Sequence, residues 1–294
     1  MANLKRTSLY APGTNPSFLA TVPFFNEDCI VYDLEDAVAI SEKDAARFTI
    51  YNTLHYHRPK DKYIVIRVNG LDSEYLEDDL ECAVRARPDA IRLPKVEFPE
   101  QVKKVDERIT EIEKEAGIEV GTTKLWCNCE SYWGAINCQA ICEASPRVEA
   151  MAIGAEDYTA SMRATRTKEG REIEYVRNMV LMGCRAAGVE ALDVVYSDIN
   201  DNEGLIRDTQ YAKALGFDGK TVVNPRQIDT VNSIFAPSAK EIKYAKRVMA
   251  AIEDGRRRGV GAVTLDGSMI DKPMERRAET TLAQAKAAGI KIDD

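Results

Sequence analysis

Two acidic residues, Glu130 and Asp157, are the first candidates for chemistry, because each closely follows a short apolar run. Carboxylates brought together at one edge of a sheet repel each other unless a proton or a cation lies between them. Mg²⁺ suits such a pair, since it binds to one or two carboxylates and keeps water or substrate oxygens as its other ligands. The pair therefore predicts a Mg²⁺ site. The alternative is an ion pair of each acid with Arg67 or Lys95.

Arg67 ends another apolar run and brings a permanent positive charge to the same predicted edge. Its planar guanidinium suits a substrate carboxylate or an enolate oxygen. Glu35 and Asp36 follow an earlier run and are near enough in strand order to orient Arg67 for catalysis. Lys95 is predicted either to bind a substrate carboxylate or to orient these two acids. Together the residues indicate a site for an anionic substrate.

Histidine, cysteine and serine residues support other chemistries less well. His55 and His57 fall near the end of a predicted helix and are expected at the surface. A zinc site would have to use Cys127, Cys129, Cys138 and Cys142. The first two have C-x-C spacing inside an apolar run, which disfavours zinc. No serine lies in a G-x-S-x-G elbow.

Eight short apolar runs provide the elements that must position these side chains. They span residues 7–11, 29–33, 63–68, 90–93, 124–128, 148–153, 191–196 and 221–223. Helical patterns between them predict a parallel α/β sheet, with reactive groups at the carboxyl ends of the strands. Eight strands favour a closed (β/α)8 TIM barrel over an open doubly wound sheet, because a barrel leaves no exposed edge. No dinucleotide-binding or P-loop glycine motif follows the first run to support the open sheet.

Amphipathic spacing predicts helices at 99–116, 134–143 and 172–187. After the last apolar run the pattern is helical only, which predicts a barrel over residues 1–235 and a C-terminal helical extension over 236–294. Within the extension, a connection from 255 to 267 contains Gly255, Gly259, Gly261 and Gly267. We interpret it as a candidate hinge for a lid segment, with a plain surface loop as the alternative.

Composition limits the classes of partner. The formal net charge of -8 over 294 residues would repel nucleic acid. No apolar run approaches the roughly 20 residues of a membrane helix, and the first residues lack the apolar core of a signal peptide. Seven cysteines at low density suit a reducing compartment. We therefore expect a cytoplasmic protein with no nucleic-acid and no membrane partner.

Six motifs resemble those of the citrate lyase beta family, which includes citramalyl-CoA and malyl-CoA lyases. They are RTSLYAPG at 6–13, DLEDAV at 33–38, IRVN at 66–69, LPK at 93–95, GAED at 154–157 and GSMID at 267–271. As a set they are specific for the superfamily and less so for one substrate. The resemblance implies a barrel of the HpcH/HpaI aldolase type, with Mg²⁺ on Glu130 and Asp157 and with Arg67 at the substrate.

The resemblance also implies contacts outside the acidic pair. Pro12, Gly13 and Asn224 are expected at the substrate. In the family the C-terminal segment reaches a neighbouring subunit, so Asp271 is expected to serve that subunit's site within a trimer-based homo-oligomer. Relatives that use free CoA often have Lys or Arg after the Pro-Gly motif, whereas residues 14–17 have none. This difference favours an acyl carrier protein over free CoA as the carrier.

The implied activity is a Mg²⁺-dependent carbon–carbon lyase that splits a citryl thioester into oxaloacetate and an acetyl thioester, beside citrate lyase alpha and gamma subunits. Arg67 would stabilise the acetyl enolate and Asp271 would protonate it. Two alternatives stay open: a citramalyl-CoA or malyl-CoA lyase or thioesterase on the same barrel, and a non-catalytic thioester-binding subunit of a complex. Arg67, the two acids and Asp271 together favour catalysis.

Overall fold

Eight parallel strands close into a barrel in the computed structural model, which describes residues 4–260 and 263–292. The strands are β1 (Thr7–Pro12), β2 (Cys29–Asp33), β3 (Tyr63–Arg67), β4 (Ala90–Leu93), β5 (Lys124–Cys129), β6 (Val148–Ile153), β7 (Glu190–Asp193) and β8 (Gly219–Val222). Each pairs with its neighbour in sequence, and β1 also pairs with β8. The predicted (β/α)8 barrel is therefore confirmed, and the open-sheet alternative is wrong.

Helices follow most of the strands, as a barrel built from βα repeats requires. They are α1 (Pro16–Thr21), α2 (Lys43–His57), α3 (Leu76–Arg85), α4 (Pro99–Glu115), α5 (Tyr132–Ile136), α6 (Cys138–Cys142), α7 (Ala155–Ser161), α8 (Glu174–Ala187), α9 (Asn202–Leu215), α10 (Ile228–Phe235), α11 (Ala239–Arg257) and α12 (Lys272–Ala287). No helix within the described ranges combines the length and the apolar character that crossing a membrane requires.

The barrel interior changes from apolar to polar along the strands. Alternate residues of a barrel strand point inward. The inward positions nearer the amino ends form one buried apolar cluster: Cys29, Val31, Tyr63, Val65, Ala90, Trp126, Ala150, Ala152 and Leu192. The same alternation places Asp33, Arg67, Arg92 and Asn128 at the inward positions near the carboxyl ends of the strands. The strand period thus brings charged side chains together at one mouth of the barrel.

Some element boundaries differ from the sequence expectation. Residues 134–143, predicted as one helix, form α5 and α6, because the backbone turns at Asn137 and its side chain donates to the Glu97 carbonyl (2.8 Å). The seventh strand ends at Asp193 rather than continuing to Tyr196. The eighth begins at Gly219, two residues earlier than the predicted run.

Residues from Ser233 onward form a second compact unit. It contains α11, α12 and an antiparallel hairpin of β9 (Val263–Leu265) and β10 (Ser268–Ile270), which share a core of buried residues: Ala245, Val248, Val263, Ile270 and Ala278. The expectation of an irregular glycine-rich connection is partly wrong. Gly255 lies inside α11, where a Cβ would stand 2.3 Å from Val263 Cγ1. Gly267 lies in the hairpin turn, and Gly261 lies outside the described residues.

Four buried charges tie β7 and β8 to the helices outside them. Asp193 accepts hydrogen bonds from Arg177 Nε (2.8 Å) and Lys220 Nζ (2.7 Å). Asp208 accepts from the same two side chains, each at 2.6 Å. Asp193 and Lys220 are fully buried, so water cannot solvate either charge. Two acids balance two bases, so each charge of the cluster has an opposite partner.

We expect Asp193→Ala to lower the free energy of unfolding by roughly 3–5 kcal/mol, because it leaves a buried cation without its acid. The control is Glu203→Ala, which removes a 91% exposed acid beside Arg207 and should change stability by less than about 0.5 kcal/mol. Urea unfolding followed by circular dichroism measures both. Equal stability of the two variants would contradict the role given to the cluster.

Candidate active site

A cavity of about 450 Å³ opens at the carboxyl ends of the barrel strands. This is the end at which TIM barrels carry their reactive groups. Its lining residues are Tyr10, Pro12, Asp33, Asp36, Ala37, Arg67, Arg92, Asn128, Glu130, Ile153, Gly154, Ala155, Glu156, Asp157, Val195, Thr221 and Val223. The cavity therefore brings together Arg67, Asp36, Glu130 and Asp157, which lie at or just after the ends of four different strands.

Arg67 is held in place by a bidentate pair with Asp33. Its Nε and one terminal nitrogen donate to the two Asp33 carboxylate oxygens at 2.7 and 2.8 Å. Burial alone would raise the pKa of Asp33, but the Arg67 hydrogen bonds and two backbone amides lower it. The orienting role was predicted for Glu35 and Asp36 and not for Asp33. Asp33 and Arg67 are direct register partners on β2 and β3, a signal that strand alignment would have given.

Glu35 and Asp36 are further acidic neighbours of Arg67 and also of Lys95. The other terminal nitrogen of Arg67 lies 2.7 Å from Glu35 Oε2 and 3.6 Å from Asp36 Oδ2. Lys95 Nζ donates to Glu35 Oε1 at 3.0 Å and lies 4.0 Å from Asp36. Burial raises the pKa of Glu35 despite these cations. Lys95 thus contacts the acids, as one of its two predicted roles requires, and is outside the cavity lining.

Glu130 and Asp157 lie at the same mouth without a basic partner. Within the described ranges, neither acid has a Lys, Arg or His nitrogen within 4.0 Å. Glu130 Oε1 accepts one hydrogen bond, from Asn128 Nδ2 (2.7 Å). Burial, with the nearby charges of Glu35 and Asp157, raises the pKa of Glu130 to about 7. The predicted ion pairs with Arg67 or Lys95 are therefore not formed, because those cations bind other acids.

The local backbone gives Glu130 room and leaves Asp157 open to solvent. Gly154, at the end of β6, would carry a Cβ only 2.6 Å from Glu130 Cγ, so any larger residue there would require the Glu130 side chain to shift. Asp157 lies in the first turn of α7 and is exposed. One buried and one solvent-facing carboxylate, both short of positive charge, fit a hard cation that keeps part of its water shell. The oxygen donor set does not suit a soft metal.

The remaining predicted site residues have structural contacts of their own. Pro12 lines the cavity, whereas Gly13 packs below it and its amide donates to the Asp33 carbonyl (3.0 Å). Asn224 caps the turn Pro225–Gln227 by accepting from the Arg226 amide (3.0 Å) and is not part of the lining. Asp271 belongs to the second compact unit, where it is exposed and caps α12 through the Met274 amide (3.3 Å). The functional roles of these residues stay predictions.

Four inward residues of the site were not singled out by the sequence analysis. Arg92 Nε donates to Asn128 Oδ1 (2.6 Å), and Asn128 in turn holds Glu130. The Tyr10 ring lies under both guanidinium groups, 4.6 Å from Arg67 Cζ and 5.2 Å from Arg92 Cζ. Thr221 lies 3.5 Å from Arg92. Their common signal is the two-residue strand period, which places all of them on the inward face.

The histidines and cysteines lie away from this cavity. His55 and His57 are exposed, and His55 lines a larger cavity of about 560 Å³ against α2 and α3, remote from the strand ends. Three buried thiols, those of Cys138, Cys142 and Cys184, lie within 4.8 Å of one another. This grouping differs from the four cysteines considered from spacing, since Cys184 replaces Cys127 and Cys129. The Cys138 thiol lowers the pKa of Cys184, but the Cys142 thiol and burial outweigh it and raise that pKa.

Comparison with known proteins supports one family. The model of the family "HpcH/HpaI aldolase/citrate lyase" matches residues 6–225. The citrate lyase subunit beta of Leuconostoc mesenteroides subsp. cremoris is 42% identical, covering 97% of this chain and 94% of its own. Human mitochondrial citramalyl-CoA lyase is 35% identical over 96% of this chain and 85% of its own.

A solved structure agrees with these relatives. The CitE protein of Mycobacterium tuberculosis, in complex with magnesium, acetoacetate and coenzyme A, is 30% identical. It superposes with a TM-score of 0.80 and covers 97% of this chain and 100% of its own. Sequence motifs, barrel topology and relatives thus agree over nearly the whole chain. The chain belongs to the HpcH/HpaI aldolase/citrate lyase family.

Proposed function

We propose that this protein is a Mg²⁺-dependent carbon–carbon lyase that cleaves a citryl thioester to oxaloacetate and an acetyl thioester. The observation that carries the proposal is the pair Glu130 and Asp157, two carboxylates without a basic partner in the described chain, at the same mouth as Arg67. The relatives named citrate lyase subunit beta supply the substrate class. The magnesium in the Mycobacterium tuberculosis structure supplies the identity of the metal.

Glu130 and Asp157 would hold the metal, and their mutual repulsion would be relieved by it. Bound Mg²⁺ would supply Lewis-acid polarisation of the substrate hydroxyl and carboxylate oxygens. Asn128 fixes the Glu130 carboxylate through its amide, at 2.7 Å, so that one oxygen keeps a constant direction. Hydrogen-bond partners of this kind orient a metal ligand and also affect how tightly the metal binds.

Arg67 would stabilise the developing charge. The substrate hydroxyl would first lose its proton to a water molecule. As the carbon–carbon bond then breaks, its electron pair moves onto the acetyl thioester as an enolate, and the former hydroxyl carbon becomes the keto carbon of oxaloacetate. A guanidinium fixed by Asp33 needs no reorganisation to meet that oxygen, an effect worth roughly 3–4 kcal/mol. Protonation of the enolate carbon, proposed for Asp271, completes the acetyl thioester.

The carrier of the acyl group is proposed to be an acyl carrier protein within a citrate lyase complex that also contains alpha and gamma subunits. Residues 14–17, which follow the Pro-Gly motif, contain no Lys or Arg to pair with the phosphates of free CoA. The Mycobacterium tuberculosis relative binds coenzyme A, so the carrier is a point on which members of the family can differ. Such a complex would lie in the cytoplasm.

Asp271 is proposed to act in the site of a neighbouring subunit of a trimer-based homo-oligomer. Met269 precedes it on β10 and is 68% exposed, an apolar side chain that contact with another subunit would cover. The side chain of Asp271 is itself exposed and therefore accessible to a partner. The C-terminal unit, residues 236–294 in the proposed division, would then serve as a lid.

A citramalyl-CoA lyase is the second candidate, because the human enzyme of that name is 35% identical. Its substrate shares the hydroxyl, the adjacent carboxylate and the thioester but has a methyl group in place of a carboxymethyl group. Assays of oxaloacetate release from citryl thioesters and pyruvate release from citramalyl thioesters, each with Mg²⁺ and with EDTA, separate the two. Release of pyruvate alone would reject the citryl assignment.

We expect Glu130→Gln and Asp157→Asn to abolish measurable Mg²⁺ binding in calorimetry, together with lyase turnover, because each removes a charged ligand. Glu143→Gln is the control, an exposed glutamate that follows α6 and should leave both properties unchanged. Normal Mg²⁺ affinity in Glu130→Gln would exclude this residue as a ligand.

We expect Asp271→Ala to keep its Mg²⁺ affinity and to slow turnover by about 10²- to 10⁴-fold, the usual effect of losing a general acid. Mixing it with Glu130→Gln under conditions of subunit exchange tests whether the acid acts between subunits. A shared site recovers about a quarter of wild-type activity, because one subunit then supplies the acid and the next the metal site. If exchange occurs and no activity returns, Asp271 does not act in trans.

A further inference from the structure

We infer that Arg92 is a specificity residue that binds the carboxylate of the citryl carboxymethyl arm, which becomes the distal carboxylate of oxaloacetate. The inference rests on the proposed function, since it names the part of the citryl group that this side chain recognises. It also explains how one barrel distinguishes a citryl thioester from a citramalyl thioester, which lacks that second carboxylate.

Arg92 is buried and incompletely bonded. Its relative exposure is 1%, yet it lines the cavity at the strand ends. Its Nε donates to Asn128, and one terminal nitrogen lies at the limiting distance of 3.5 Å from Thr221 Oγ1. The other terminal nitrogen is buried and has no hydrogen-bond partner within the described ranges. A buried donor without a partner costs free energy unless a ligand supplies the acceptor.

Other buried arginines of the described chain show what is missing at Arg92. Each of four has a carboxylate oxygen within 2.8 Å, and these are Arg47, Arg67, Arg147 and Arg177. Arg92 has no acidic partner within 4.0 Å among the described residues, and its positive charge is met only by the face of the Tyr10 ring. A desolvated guanidinium without an anion is unfavourable in an empty site. A substrate carboxylate would remove both deficits, and a guanidinium is suited to bind one.

The two arginines that line the cavity differ in their hydrogen-bond partners. Arg67 already uses two nitrogens on Asp33, and the third is 2.7 Å from Glu35. Arg92 is its register partner on the neighbouring strand β4, over the same Tyr10 ring. A citryl group held near Glu130 and Asp157 would extend its carboxymethyl arm toward one of these side chains. Arg92 is the one that has a terminal nitrogen with no protein partner and no protein carboxylate within 4.0 Å in the described chain.

A positioning role is the competing explanation. Arg92 bonds Asn128, which bonds Glu130, so loss of Arg92 could disturb the metal ligand instead of the substrate arm. That role would weaken Mg²⁺ binding and would affect citryl and citramalyl substrates alike. The specificity role leaves Mg²⁺ binding in place and affects only ligands that carry the second carboxylate.

The test compares oxaloacetate with pyruvate, which lacks the distal carboxylate, by calorimetry in the presence of saturating Mg²⁺. We expect the wild-type protein to bind oxaloacetate more tightly. Arg92→Gln should weaken oxaloacetate binding by about ten- to a hundredfold, the effect of losing a charge-assisted hydrogen bond, and leave pyruvate and Mg²⁺ affinities unchanged. Arg92→Lys should recover part of the preference, because the charge remains. Arg207→Gln, at a 69% exposed arginine, is the control and should bind like wild type.

Equal losses for oxaloacetate and pyruvate, or a loss of Mg²⁺ affinity, would overturn the inference in favour of positioning. Wild-type protein with no preference for oxaloacetate would overturn it as well. These binding results are independent of turnover. Failure of the proposed function shows separately, as absence of oxaloacetate release from citryl thioester by the wild-type protein.

Discussion

The pair between Arg67 and Asp33 determines how charge is distributed at the mouth of the barrel. The Arg67 guanidinium donates to Asp33 at 2.7 and 2.8 Å, and this pair keeps it away from Glu130 and Asp157. Lys95 is engaged in the same way by Glu35. Glu130 and Asp157 can therefore remain without a protein cation in the described chain, although Arg67 and Arg92 line the same mouth and Lys95 adjoins it. Were Arg67 free to turn, it would neutralise the carboxylates and displace the ion for which they are suited.

Much of the fold could be predicted from the sequence, because β strands that are buried on both faces form nearly continuous apolar runs. The runs at 29–33, 90–93 and 148–153 coincide with β2, β4 and β6. The edges of the barrel were less predictable. The bounds of β7 and β8 differ from the predicted runs, and the charged Lys220 interrupts the apolar pattern at the start of β8. The hairpin in the C-terminal unit was missed, because three-residue strands leave too weak a pattern to detect.

The candidate site, like the fold, could be predicted only in part. Arg67, Glu130 and Asp157 end or follow apolar runs, so their placement at the strand ends could be expected, and all three line one cavity. Asp33 and Arg92 were not predicted as site residues, although they belong to apolar runs as Arg67 does. Only the register and the inward alternation reveal that both face the cavity. The family membership and lyase chemistry predicted from six motifs are confirmed by the relatives, whose names also include the citramalyl alternative.

Gly154 has a consequence for how this family can vary. It contacts Glu130 so closely that even the methyl group of alanine would press on the Glu130 side chain at 2.6 Å. Gly154 has no side chain, yet it thus limits the positions that the neighbouring Glu130 carboxylate can adopt. A change in the shape of the cavity would have to come from other parts of its wall, because a larger residue at position 154 would displace the Glu130 side chain first.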